Sequence, residues 1–535
     1  MSVPSNMMQG MVDSSIEAVP GMEVDVPQPE DFAGGAEVMD DGAGGAIIQA
    51  LMGAEGAEVV TEEYDHNANL AEILDESILG EISSELRARV EDDQDSRDEW
   101  QEAYTQGLDL LGVKTKERSQ PFQGASGVTH PIIAESVTQF QAQAYKELLP
   151  AGGPVRAEVI GAKTPEIEDQ ATRVKNFMNY MVTEVMEEYD PDTDQMLFYL
   201  PLCGSTFKKV YYDETKQRPV SRFVPAEDLV VPYTTSDLAT SSRVTHILRM
   251  DENQVRKLQV VGFYRDVDLQ TGYDEEDDSV KDKVRELQGL DKSEQADDVL
   301  TIFEIHTDLD IEGFEDLDQN GKPTGIKLPY IVTIDQSSGE VLSIRRNYGE
   351  GDPLKRKQQY FVHYKFLPGL GFYGFGLIHM IGGLGKAATS ILRQLIDAGT
   401  LANLPSGFKA RGIRVRNDDE PIAPGEFRDI DAPGGDIRNS IIPLPYKEPS
   451  ATLAQLLGVL IDSGRRFVSI ADQQTGSPGS QQQPVGTTVA LLERGMKVMS
   501  AIHKRLHYAQ KIEFRLLSRV IRDHMSGAYP YEVPG

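Results

Sequence analysis

The stretch GFYGFGLIHMIGGLGKAATSILRQLIDAGTLANLP, residues 371–405, contains the long helical pattern around which the other elements are arranged. Its apolar residues recur at three- and four-residue spacings, which predicts a helix from about Gly374 to Ala402. Pro405 ends this helix, because proline removes a backbone donor and clashes with the preceding turn. We therefore interpret the chain as elements that lead into and out of one helix of about seven turns.

The part of the chain before this helix, residues 71–250, combines helical and strand patterns. A helix is predicted over 132–149, and Thr164, an N-cap residue followed by proline, marks the start of another. Strands are predicted at 155–161 and in FKKVYYD, residues 207–213, where side chains of different character alternate. This mixture predicts an α+β fold.

A β-rich segment stands between a short helix and the long one. The short helix is predicted over 251–262, where an aspartate provides the N-cap and a glycine the end. Four strand patterns follow within 297–366, and turn signals at 318–321 and 337–339 separate them. We expect a small antiparallel module inserted between two helices.

Two further helices are predicted after a segment rich in proline and glycine, residues 417–449. They cover 452–474 and 487–525. The sequence between them, TGSPGSQQQPVG, residues 475–486, has no charge and contains several helix breakers. It predicts a polar, flexible loop.

The charge of the chain is concentrated at its start. The net charge is −34, and the first hundred residues hold 25 acidic and 3 basic residues. We expect residues 1–70 to form a solvated, disordered acidic arm, and the alternative is an arm that docks on a partner. A protein of this charge is not expected to bind DNA by neutralising its phosphates. If it handles DNA, the protein must repel or guide the duplex instead.

Composition excludes several other classes of protein. A chain of 535 residues is longer than one hydrophobic core usually accommodates, which implies two or more structural units. The single cysteine, Cys203, excludes an internal disulfide and is expected to be a small buried apolar residue. No apolar run is long enough to span a membrane, and no secretory signal is expected at the start.

Several stretches imitate the motifs of enzymes without meeting their requirements. Residues 369–374 match G-x-G-x-x-G, but aromatic side chains crowd the turn and Asp397, the acidic candidate, lies within the predicted helix. Gly385-Lys386 lacks the remainder of a phosphate-binding loop. His503 and His507 lack the glutamate of a zinc motif, and the acidic run 274–278 lacks the spacing of a calcium loop. We therefore expect no enzyme, no cofactor and no metal site.

The order of these elements resembles the bacteriophage portal proteins, and most closely those of short-tailed phages. The resemblance extends over about 85–525. It is carried by PFQGASGVTHPIIAESVTQFQAQAYKELLP (121–150), LPLCGSTFKKVYYD (200–213), RFVPAEDLVVP (222–232), FYGFGLIHMIGGLGKAATSILRQLIDAGTLANLPSGFKARG (372–412) and PVGTTVALLERGM (484–496).

This resemblance implies a dodecameric ring around a central channel, with a wing, a helical stem, a clip and a crown. The segments would correspond as follows: the acidic arm, 1–70; the first part of the wing, 71–250; the first stem helix with an acidic connection, 251–296; the clip, 297–366; the second stem helix, 367–404; the second part of the wing, 405–472; the tunnel loop, 473–487; and the last helix with the start of a crown, 488–535.

The resemblance also implies partners and candidate residues. A portal passes double-stranded DNA without sequence specificity, docks the large terminase subunit and then the head–tail adaptor, and contacts the major capsid and scaffolding proteins. It would stand at the portal vertex of the virion, and in the host cytoplasm during assembly. Candidates to approach DNA are Gln473, Gln474, Gln481, Gln482 and Gln483 of the loop, with Lys386 and Arg393 of the long helix. Candidates for the docking face of the clip are Asp316, Asp318, Asn320, Arg345 and Arg346.

Two questions remain open on the sequence alone. Lys386 and Arg393 share a helix face and could line a channel or form salt bridges. A ring needs two complementary faces, which the acidic arm, Arg465-Arg466 and the basic last helix could provide. That helix carries Arg494, Lys497, Lys504, Arg505, Lys511, Arg515, Arg519 and Arg522. The alternative to a portal is another structural virion protein, such as a tail or scaffold component, without a DNA channel.

Overall fold

The structure is a computed structural model, and it describes most of the chain. The described residues are 36–40, 46–50, 65–115, 117–159, 161, 163–269, 279–290, 299–318, 321–403, 407–409, 414–415, 430–431, 441–444, 446–468 and 485–525. Only the backbone is described for those in 36–50, 407–443, 466–468 and 485–499.

The chain divides into two units, Met1–Tyr64 and Asp65–Gly535. In the first unit, β1 (Ala36–Asp40) and β2 (Ala46–Ala50) form an antiparallel ribbon in which Val38 is opposite Ile48. The expectation of disorder throughout 1–70 is therefore wrong for this ribbon. It is also wrong for 65–70, because Leu70 is buried in the core of the second unit.

Ten α-helices of the second unit lie within the described residues. They are α1 (Glu76–Asp95), α2 (Asp98–Leu108), α3 (Ile132–Leu148), α4 (Pro165–Tyr180), α5 (Tyr189–Cys203), α6 (Glu252–Val260), α7 (Ser279–Gln288), α8 (Leu377–Asn403), α9 (Ala451–Val468) and α10 (Val485–His524). The predicted start of α4 is confirmed, since the Thr164 side chain accepts a hydrogen bond from the Ile167 N–H and Pro165 is the first helical residue.

The strands of this unit form two main sheets, so the fold is a mixture of helix and sheet as predicted. A three-stranded antiparallel sheet has the order β10 (Phe361–Lys365), β3 (Ser205–Asp213), β4 (Arg218–Val224). A five-stranded antiparallel sheet runs in sequence order: β5 (Leu229–Val230), β6 (Arg243–Asp251), β7 (Val299–Leu309), β8 (Leu328–Asp335) and β9 (Val341–Arg346).

This pairing corrects the expectation of a separate module at 297–366. The predicted strands exist, but β7 pairs along its length with β6, which belongs to the preceding segment. The last strand, β10, joins β3 in the other sheet. The segment is therefore shared between two sheets of one body rather than inserted as an independent domain.

A second correction concerns the strand predicted at 155–161, because none forms in the described part of that range. Val155 instead exchanges two hydrogen bonds with the side chain of Asn179 on α4, at 2.8 and 3.1 Å. A side-chain amide thus satisfies the backbone groups that a neighbouring strand would have bound.

The largest core surrounds α3, which buries Ile133, Val137, Phe140 and Ala144 against α5, α8 and α10. A second core lies between α1 and the five-stranded sheet. Among the described residues, no helix combines the length and the apolar character that crossing a membrane requires.

Candidate functional site

Helices α8 and α9 form an antiparallel pair, and three glycines show how they are aligned. A methyl group on Gly385 of α8 would lie 3.5 Å from Ile132 Cγ2 on α3. One on Gly464 of α9 would lie 2.4 Å from Ile132 Cδ1, so both glycines face the same isoleucine. At the other end, one on Gly399 would lie 3.7 Å from Pro449. The chain therefore leaves the body along α8 and returns along α9.

Small strands continue this helical hairpin in the segment between the two helices. β11 (Gly407–Lys409) pairs with β14 (Ile441–Pro443), and β12 (Arg414–Val415) pairs with β13 (Ile430–Asp431), both antiparallel. The two pairs are separate two-stranded sheets, the second nested within the first along the chain, and we call the described strands of 404–450 the β ribbon.

The two halves of the hairpin differ in how they are packed. The inner half of α8 is part of the main core, where Leu377, Ile378 and Ile381 are buried. The outer half is apolar but none of its leucine, isoleucine or valine side chains in 391–403 and 453–461 is buried. Leu456 and Val459 remain 45% and 60% exposed. A fully buried side chain of this kind contributes about 1.5–3 kcal/mol, so a partner that covered this face would gain substantially.

Three α8 residues one turn apart fasten the loop 117–130 to the helix. Arg393 Nε donates to the Val128 carbonyl at 2.7 Å, and its Nη2 donates to the Gly127 carbonyl at 3.2 Å. Asp397 accepts from the Ser126 N–H at 2.7 Å, and Thr389 Oγ1 accepts from the His130 N–H at 3.1 Å. Arg393 is therefore a structural residue of this loop, and burial lowers its pKa from the ordinary value.

Lys386 has a different environment from Arg393, although the two share a groove. The groove has a volume of about 960 Å³ and is bounded by α2, the loop and α8. Lys386 is exposed, and no described residue forms an ion pair with it. The structure thus separates the two predicted cations: Lys386 has no ionic partner among the described residues, whereas Arg393 is already engaged.

The glycines that imitate a nucleotide motif form the joint where α8 begins. A methyl group on Gly376 would lie 2.1 Å from the Leu202 carbonyl oxygen, and one on Gly374 2.4 Å from the Gly204 carbonyl oxygen. Gly204 itself has a φ of +87°, a conformation that glycine adopts without strain. These glycines allow backbones to touch, as interpreted from the sequence, and Gly371 of the same motif has open space around it.

An ion pair anchors the last helix to the three-stranded sheet. Lys208 of β3 and Glu513 of α10 are both fully buried, and their charged atoms lie 3.2 Å apart. Lys208 also donates to Thr193 Oγ1 at 2.7 Å, and Ser221 donates to Glu513 at 2.6 Å. Tyr364 completes the set with a hydrogen bond to Glu513. Burial raises the pKa of Tyr364 well above its ordinary value, so it stays a donor.

The arginines predicted as a docking face on β9 bind the chain's own backbone. Arg345 donates to the carbonyls of Asn67 and Phe263 at 2.8 and 3.1 Å, and Arg346 donates to that of His66 at 2.9 Å. They hold the start of the second unit on the sheet edge.

The acidic docking candidates lie in the segment between β7 and β8. Asp316 accepts hydrogen bonds from Lys355 and Thr324, and Asp318 accepts one from the Lys322 N–H. Asn320 lies outside the described residues, as do the loop glutamines Gln473, Gln474, Gln481, Gln482 and Gln483 and the acidic run 274–278.

The predicted environment of Cys203 is confirmed. Its side chain is buried and donates to the Ser205 carbonyl at 2.8 Å, and burial raises its pKa to about 12. Within the described ranges no group of three or more His, Cys, Asp or Glu side chains could hold a metal ion.

Sequence reasoning missed two features of this region. It assigned 405–472 to the second part of the wing and did not predict that α9 pairs with α8. It also missed the Lys208–Glu513 pair, because neither residue stands out within its own segment. The alternation of FKKVYYD was the available signal, since it places Lys208 on the face opposite Lys209.

Comparison with protein-family models and with curated proteins yields no match to this chain.

Proposed function

We propose that the chain is a portal subunit, one of a ring that forms the channel through which phage DNA enters and leaves the capsid. The observation that carries the proposal is the α8–α9 hairpin. It is a pair of antiparallel helices with an unburied apolar outer half, ended by a β ribbon and followed in sequence by the uncharged loop 475–486. A monomer gains little from such an element, whereas a ring can cover its flanks with those of neighbours.

The structure supports a different assignment of regions from the one that the resemblance implied. The resemblance implied that α6 and α8 are the paired stem helices and that 297–366 is the clip. In the structure α6 packs on β6, while α8 packs on α9. We therefore propose α8 and α9 as the stem, the ribbon segment 404–450 as the clip, and the two sheets with α1–α7 as the wing.

The proposed tunnel loop is consistent with this arrangement, because it follows α9 directly. Its glutamines, serines and glycines carry no charge, so contacts with phosphate would be weak and independent of base sequence. A translocating channel requires contacts of that kind. Lys386 would face the groove at the base of the stem, and Arg393 would position the loop 117–130.

An assembly experiment tests the revised stem. Replacing Leu456 and Val459 with aspartate should prevent ring formation while leaving the subunit folded, because both side chains are exposed in the monomer. The matched control replaces Val260 and Val261, at the C-terminal end of α6, with aspartate. These two side chains are 77% and 71% exposed. Rings that persist with the α9 changes, or that are lost only with the control changes, would contradict the α8–α9 assignment.

A second experiment tests the channel itself. Deleting 476–484 should impair DNA packaging while rings still assemble. Normal packaging by the deletion variant would favour the alternative, a tail or scaffold component without a channel.

A further inference from the structure

The exposed face of α10 carries a straight row of basic side chains. Lys504, Lys511, Arg515 and Arg522 stand at intervals of 7, 4 and 7 residues, which places them within one narrow stripe of the helix. The stripe extends about 27 Å along the helix axis. Tyr508 lies beside it and is 67% exposed. We call these five residues the basic stripe.

The opposite face of α10 explains why the stripe points outward. Ile502, Leu506, Glu513, Leu517 and Val520 are buried against the main body. Lys504, Lys511 and Arg515 form no ion pair with any residue that the structure describes, and Arg522 pairs only with its neighbour Asp523. In a chain with a net charge of −34, three cations of this stripe thus have no ionic partner in the part that the structure describes.

A complementary row exists elsewhere on the same unit. On α1, Glu81, Glu85, Asp92 and Asp95 share one exposed face, and the exposed residues Asp98 and Glu99 follow at the start of α2. We call these six residues the acidic stripe. Of its members, only Glu85 has an ion pair within the described residues, with Arg89.

The two stripes occupy different parts of the body. The acidic stripe lies on α1, which packs on the five-stranded sheet, whereas α10 packs on the three-stranded sheet. A head-to-tail contact between copies needs two different faces of complementary charge and similar length, and these stripes meet that requirement.

We infer that the basic stripe of one subunit docks on the acidic stripe of the next copy of this chain. This inference rests on the proposed function for its ring geometry and adds the surfaces that join the subunits. Double-stranded DNA is the other possible occupant of a basic helix face. The long-range field of a strongly acidic protein repels phosphates, while a second copy brings the matching acids.

Charge reversal in two separate chains tests the inference. One chain carries Lys511→Glu and Arg515→Glu, and the other carries Glu81→Lys and Asp92→Lys. Each alone should assemble at least tenfold more weakly, because every subunit contact then opposes like charges. Mixed together, they should form alternating rings, since each altered stripe meets its altered complement.

The control chain carries Lys175→Glu and Lys257→Glu, which make the same charge change at exposed positions of α4 and α6. Native mass spectrometry measures assembly, and circular dichroism checks that each chain is folded. The inference predicts normal assembly of the control and restoration only in the mixture.

Other outcomes separate this inference from the proposed function. Wild-type rings that tolerate both reversals, or a mixture that fails to restore assembly, would overturn the stripe contact alone. Reversals that weaken binding of a DNA duplex but leave rings intact would assign the basic stripe to DNA instead. A wild-type chain that stays monomeric would contradict both the contact and the ring.

Discussion

Lys208 and Glu513 lie 305 positions apart in the chain, yet their side chains form a fully buried ion pair of 3.2 Å. The pair joins the central strand of the three-stranded sheet to the helix that carries the basic stripe. It therefore fixes how α10 is rotated on the body, and with it which side chains face outward.

Removing one partner of this pair should destabilise the protein strongly. Glu513→Gln leaves the Lys208 ammonium buried without its counter-charge, and such changes cost about 3–5 kcal/mol. Urea unfolding measures the loss. Lys257→Gln at an exposed position of α6 is the control and should change stability by less than about 0.5 kcal/mol. The double change Lys208→Met with Glu513→Leu should recover part of the loss, and no recovery would contradict an electrostatic origin.

The glycine joint before α8 should tolerate side chains unequally. Gly376→Ala places a methyl group 2.1 Å from the Leu202 carbonyl oxygen, so backbone must move, at a cost of about 1–3 kcal/mol or more. Gly371→Ala has open space and should be nearly neutral. Thermal unfolding of the two variants compares them. Equal melting temperatures would show that the close approach of these segments is not required.

The protein should lose stability in mild acid because of buried histidines. Burial, with a smaller contribution from Lys209, lowers the pKa of His246 to about 3, and burial also holds the pKa of His363 well below its ordinary value. The unfolded chain takes up these protons near pH 6.5 and the folded chain does not, so stability is complete above about pH 7 and falls as the pH drops below 6.5. Each such histidine contributes up to about 1.4 kcal/mol per pH unit.

Urea unfolding between pH 7.5 and pH 5 measures this dependence. His246→Gln should make the decline shallower, whereas the exposed His507→Gln should not. The same slope in both variants would mean that His246 does not stay neutral in the folded protein.

The clamp on the loop 117–130 should depend on Arg393. Arg393→Ala removes three hydrogen-bond contacts to Gly127, Val128 and Thr129 and should speed amide hydrogen exchange in the loop. Hydrogen bonds to a charged group contribute about 1.5–3 kcal/mol, so exchange should rise by a factor of roughly 10 or more. Lys386 lines the same groove but forms no hydrogen bond with the described residues of the loop, so Lys386→Ala should leave the exchange unchanged. An unchanged rate in Arg393→Ala would assign the loop's order to Asp397 and Thr389 alone.

Local patterns predicted most elements of the second unit, because helical spacing and alternation are properties of adjacent residues. The helix over 132–149, the short helix at 251–262 and the strands of 297–366 all form within a few residues of their predicted bounds. The partners of those elements could not be predicted in the same way. The pairing of β7 with β6 and of α9 with α8 depends on contacts between residues distant in sequence. For this reason the predicted separate module at 297–366 was wrong, and the proposed stem differs from the one first expected.

The candidate site was predictable only in part for the same reason. The sequence correctly placed Lys386 and Arg393 on one helix, and both border the same groove. Their different environments depend on the backbone of 127–128, which no spacing rule connects to α8. Arg345 and Arg346, which stand at the end of a strand, were predicted to face a partner. In the structure they bind carbonyl groups of the chain itself.

The most direct test of the account is the mass and shape of the purified 59.1 kDa chain, by native mass spectrometry with negative-stain imaging of the same sample. The portal proposal predicts closed rings of about twelve subunits with a central hole. A stable monomer or dimer at every salt concentration would contradict it.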